Sequence, residues 1–109
     1  LTHQGQNLVR QYDLEQMRIQ KSQQWDRCWR VVIYDIPIKK KKASDALRAK
    51  LKTLQLFQLQ ISIWVTPYDC NAEIEFLCAI FELKLDEHIY YFKTQQIPRE
   101  GELKKFFNL

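Results

Sequence analysis

Glycine is scarce in this chain, two in 109 residues, which excludes a glycine-rich phosphate-binding loop. The three cysteines, Cys28, Cys70 and Cys78, form no Cys-x-x-Cys pair, and His3 and His88 stand alone. A structural zinc site needs a full cluster of such ligands, and this spacing does not offer one. No apolar run approaches the roughly 20 residues of a membrane-spanning helix, and no apolar stretch follows a basic start as in a secretory leader. Tracts of Pro, Gly and Ser are absent too, and a hydrophobic content of 46% excludes a disordered chain. No Ser/His/Asp or Cys/His set suggests nucleophilic catalysis. The odd thiol count reads as reduced cysteines, with Cys78 a small core residue inside an apolar helical stripe.

What remains suffices for one compact domain and is too little for two. Leu1 rather than Met opens the sequence, so the chain is expected to be part of a longer protein. Its charge is uneven. Residues 1–55 carry twelve Lys/Arg against five Asp/Glu, and residues 56–109 five against eight, so +7 and −3 make up the net +4. A basic front half points mildly to an anionic partner such as nucleic acid; uneven surface charge explains it as well.

Residues 1–29 are rich in Gln and poor in long apolar runs. A short helix is expected there from Gly5 to Met17, then a polar connector to Gln24. The main domain begins at Trp25. Residues 29–36 are β-rich with apolar residues on both faces, Val31 and Ile33 against Val32, Tyr34 and Ile36, and end at Pro37. Such a strand is central and covered on both sides. Residues 39–55 place Ala43, Ala46, Leu47, Leu51 and Leu54 at helical spacing. Residues 57–65 alternate, with Leu59, Ile61, Ile63 and Val65 on one face, as one half-buried strand or two short ones. Asn71 suits an N-cap for a second helix carrying Ile74, Leu77, Cys78 and Phe81. Residues 88–97 form a last strand closed by Pro98, and Leu103, Phe106 and Phe107 suggest a short C-terminal helix over 98–109. Helices between strands imply crossovers, hence an α+β, ferredoxin-like antiparallel sheet with two helices on one face, an N-terminal helical extension and a short C-terminal helix. The second apolar face then needs a cover, and a second copy of the sheet is the simplest one, so a homodimer is expected.

Two features bear on chemistry. Asp35 lies at the end of the first strand, where active-site acids often sit and where an Asp also caps a following helix. One carboxylate holds a divalent cation poorly, but two copies of Asp35 meeting on a two-fold axis would form a metal site that no monomer has. Beside it, Lys39, Lys40, Lys41 and Lys42 open the first helix. The positive end of the helix dipole disfavours them there, so they are either a solvated face or a turn that collects phosphates.

Trp25-Asp26, then Trp29 through Pro37, the basic helix with Asp45-Ala46-Leu47-Arg48, Gln58-Leu59-Gln60, Ser62-Ile63-Trp64-Val65 and Pro67-Tyr68-Asp69-Cys70 resemble the central domain of PaaX-type transcriptional repressors. That domain is itself similar to the CRISPR-associated protein Cas-two. The resemblance covers 25–97, and Leu1, Thr2 and Gly5 resemble the end of a winged-helix wing, making 1–24 its remnant and connector. It implies a dimerising domain of a cytoplasmic DNA-binding regulator, with DNA read by a winged helix upstream, no cofactor, and no membrane association. The alternative it implies is a Cas-two-like Mg- or Mn-dependent endonuclease using Asp35 from both protomers, or a non-catalytic DNA- or RNA-binding subunit of a spacer-acquisition complex. Two departures stand out: Gln55 occupies a helix-ending position where the family pattern leads one to expect Gly, and Ile61 replaces a basic residue in the second strand.

Overall fold

The computed structural model describes residues 13–109. Residues 13–16 are helical and 17–28 form no regular element, so the extension expected from Gly5 is described only over its last turn. The elements that follow are β1 (Trp29–Tyr34), a 3-10 turn (Ile38–Lys40), α1 (Lys41–Thr53), β2 (Phe57–Gln60), β3 (Ile63–Thr66), α2 (Asn71–Phe81), β4 (Ile89–Thr94) and α3 (Glu100–Phe107). The sheet order is β2-β3-β1-β4, and every pairing is antiparallel. Two strand–helix–strand units therefore interleave, with β1 and β3 in the middle, as the ferredoxin-like expectation requires.

β1 is central because both of its faces are apolar. Val32 and Tyr34 pack with Leu47 and Leu51 of α1, with Ile74, Leu77 and Cys78 of α2, and with Trp64 and Ile89 in one core. Trp29 and Val31 face the other way and join Val65. The predicted second strand proves to be two, turning at Ile61-Ser62. A bulge shifts the register between Gln58 and Gln60. Ile61, expected on the apolar face, is instead 76% exposed at the hairpin tip, because the turn takes it out of the pleat. The cap of α2 also differs. Cys70 occupies the cap position with no side-chain cap bond, while Asp69 Oδ1 accepts the N–H of Asn71 at 3.2 Å.

The outer face of the sheet is covered in part by the chain itself. Leu103 of α3 is fully buried on Trp29, Val31 and Val65, with Trp25, Ile97 and Phe107 around them. Trp25 and Trp29 pack in a tilted contact, 4.8 Å between ring centroids. A second copy is thus not needed over the Trp29 end of the sheet.

Arg30 shares the helix-side face with Val32 and is 7% exposed. Its guanidinium donates to both carboxylate oxygens of Asp26, at 2.8 and 2.6 Å, and to the carbonyls of Cys28 and Pro67. The connector before β1 is thereby tied to the loop after β3. The hydrogen bond from Arg30 holds the Asp26 carboxyl below its usual value. A lowered folded-state pKa stabilises the fold at pH above about 4 and loses that contribution as pH falls through it. Asp26→Asn should therefore cost about 1–2 kcal/mol near neutral pH, a range set by the half-exposed Asp26 side chain. In urea titrations that deficit should shrink as pH drops from about 5 to about 3; a deficit independent of pH would contradict the pairing.

Gln55 and Glu82 end α1 and α2 in the left-handed region, with φ of 70° and 55°. The amides at Leu56 and Leu83 close these turns on Leu51 and Cys78. The turn geometry is therefore what a glycine would adopt, held by residues with a Cβ. Gln55→Gly and Glu82→Gly should each stabilise by about 0.5–1 kcal/mol, the relief of left-handed strain exceeding the entropy that glycine adds to the unfolded chain. Thermal melts should rise by about 3 °C or more for each, and an unchanged or lower midpoint would contradict it.

Candidate interaction surfaces

Three surfaces carry the residues that chemistry could use. The first is the open end of the outer sheet face. Antiparallel register places Ile33 opposite both Ile63 and Tyr90, and Val31 opposite Phe92, all on the same side. Val31 packs directly with Leu103 of α3, and Ile33 and Ile63 lie against that cluster, whereas Tyr90 and Phe92 are outside it. Tyr90 is 42% and Phe92 45% exposed, beside half-buried Ile33, Leu59 and Ile63. Contiguous exposed aromatic and aliphatic side chains on a strand pair are uncommon on a solvated face.

Asp35 lies at that same end, just beyond β1, with its side chain exposed. Its backbone N–H donates to the His88 carbonyl at 2.8 Å, while His88 Nδ1 accepts the N–H of Lys84. The 3-10 turn that follows has no side-chain cap bond, so Asp35 does not cap it. Among the described residues, no group of three or more His, Cys, Asp or Glu side chains is placed to hold a metal ion.

The basic turn divides by partner. Lys40 Nζ donates to the Glu82 carbonyl at 2.8 Å, joining the α1 start to the α2 end. Lys41 pairs with Asp45 at 3.1 Å, and Arg48 pairs with the same carboxylate. Lys39 and Lys42 are exposed. The four lysines expected to act as one cluster therefore separate: Lys40 ties α1 to α2, Lys41 is exposed but paired with Asp45, and Lys39 and Lys42 face solvent.

The third surface has no counterpart among the residues singled out in the sequence. A cleft of about 780 Å³ opens between the end of α1, the start of β2 and the end of α3. Arg18, Lys21 and Lys52 line it together with Phe57, Tyr68 and Phe106. Arg18 and Lys21 lie in a polar connector with no periodicity to flag them, and only folding brings them to α1 and α3.

The buried thiol is structural. Cys70 sits inside the helix-side core, and burial pushes its thiol up to about 12, so it is protonated and unreactive at neutral pH. Tyr91 Oη accepts the Cys70 N–H at 3.0 Å and donates to Asp69 Oδ1 at 3.3 Å. Burial likewise raises the Tyr91 hydroxyl. Together these contacts fasten the β3–α2 loop to β4.

No helix among the described residues is long and apolar enough to cross a membrane. In comparisons with known proteins, no curated protein and no solved structure matches the chain. A family model does: residues 22–105 match that of the PaaX protein central Cas2-like domain. With its interleaved antiparallel sheet, two helices on one face and this match over most of its length, the chain belongs to the PaaX family, of which it carries the central Cas2-like domain.

Proposed function

We propose that this domain pairs with a second copy of itself within a cytoplasmic PaaX-type transcriptional regulator. In this reading DNA is read by a winged helix upstream of residue 1, and Lys39 and Lys42 add phosphate contacts from this domain. The observation that carries the reading is the two-zone outer sheet face. α3 covers the Trp29 end, and Tyr90 and Phe92 are left exposed beside half-buried Ile33 and Ile63. A two-fold contact there would be self-complementary, stacking the two sheets and burying on the order of 1,500 Å² in total.

One observation favours a second reading. Asp35 is exposed beside the uncovered patch, so a two-fold axis there would bring two copies towards each other, as a Cas-two-like Mg- or Mn-dependent endonuclease requires. We prefer the regulator reading because residues 22–105 match the PaaX central domain, and one Asp35 from each copy offers only two carboxylates to a hard cation that takes several oxygen ligands.

Light scattering should report twice the 13.2 kDa chain mass, and the exposed pair Tyr90→Glu with Phe92→Glu should return it to a folded monomer. A wild-type monomer at micromolar concentration would refute the pairing. Lys39→Gln with Lys42→Gln should weaken binding to a labelled DNA duplex and flatten its salt dependence by about 0.9 log unit for each phosphate no longer neutralised. Lys40→Gln should lower the melting temperature instead, because the Glu82 carbonyl then has no ammonium donor. Duplex binding that is insensitive to Lys39 and Lys42 would return both to plain solvated surface. Neither Mg²⁺ nor Mn²⁺ should support nucleic-acid cleavage, and Asp35→Ala should leave the dimer intact. Robust metal-dependent cleavage that disappears in Asp35→Ala would replace the regulator reading with the nuclease.

A further inference from the structure

We propose that the cleft between α1 and α3 binds single-stranded nucleic acid, an unpaired base lying against its exposed rings and the backbone phosphates on its cationic rim. Charge is the first argument. Arg18, Lys21 and Lys52 line the cleft, and its lining contains no Asp or Glu. The C-terminal ends of α1 and α3 each contribute a partial negative charge of about half a unit, which three full cations outweigh.

The second argument is the floor. Phe106 is 52% exposed; its ring is fixed from behind by edge contacts with Phe57 at 5.3 Å and Phe107 at 4.8 Å. Tyr68 is held edge-on to Phe107 at 6.0 Å. Arg99 covers the Phe57 ring at 5.3 Å. Rings immobilised in this way stack a base with little further loss of side-chain entropy. Cations beside stacking rings are the combination by which unpaired strands are held without reading sequence. A duplex does not satisfy it, because its bases are already stacked and its phosphates alone would meet the rim. The cleft lies away from the uncovered sheet end and from Lys39 and Lys42, so this inference goes beyond the regulator reading and does not rest on it.

Fluorescence anisotropy with a short labelled oligodeoxythymidine tests it on the whole chain. Phe106→Ala should weaken binding about tenfold. Lys21→Glu with Lys52→Glu should weaken it further and reduce the salt slope by about 0.7 for each phosphate no longer neutralised. Lys21 and Lys52 are exposed, so their double variant should leave the melting curve unchanged. Phe106→Ala loses edge contacts with Phe57 and Phe107 and should lower the midpoint by no more than about 5 °C. Duplex affinity should not respond to Phe106. No binding of the oligonucleotide at low salt would overturn the proposal. So would binding unaffected by both variants, or an unlabelled duplex of equal nucleotide content competing as well as the single strand.

Discussion

Every layer of this domain depends on β1 being apolar on both faces. A strand with Val32 and Tyr34 on one side and Trp29, Val31 and Ile33 on the other cannot sit at an edge without exposing one set. Burial between β3 and β4 solves this, and the sheet order follows. The helix-side face is closed by α1 and α2, whose stripes have the length and spacing to cover four strands. The other face receives the eight residues of α3, with Trp25 and Ile97 beside them. Eight helical residues rise about 12 Å, less than the length of the six-residue β1, roughly 20 Å. One end of the outer face is necessarily left open.

That shortfall links architecture to association. α3 anchors through Leu103 and Phe107 at the Trp29 end, so the open end is the one shared by Asp35, the β2–β3 hairpin tip and the start of β4. Charge follows a related division. Lys41 and Arg48 of α1 meet Asp45 on its solvent face, whereas Lys52 at the α1 end and Arg18 and Lys21 in the connector line a cleft that also holds aromatic rings. The two kinds of surface suit different contacts: the apolar end a flat self-complementary partner, the cationic cleft an anion with planar rings.

The helix and strand pattern was legible because periodicity encodes burial. Leu47 and Leu51, Ile74 and Leu77, and alternation through Ile63 and Val65 each correspond to one buried face. Boundaries were less so, because local hydrogen bonding sets them. Asp69 rather than Asn71 accepts the first amide of α2, and Ile61 is lifted out of its alternation by a tight turn. Gln55 shows the opposite case. Its left-handed φ follows from the need to turn from α1 into β2, whichever residue stands there.

The amino-acid order by itself determined the α+β class, the centrality of β1, the buried thiol at Cys78 and the family resemblance, since each rests on residues near one another in the chain. Tertiary structure alone decided what covers the second sheet face, that Lys40 is tied to the end of α2, and that Arg18 and Lys21 share one cleft with Lys52 and Phe106. The physical reason is separation: these are contacts between segments tens of residues apart, fixed by how the apolar faces pack and not by any local pattern.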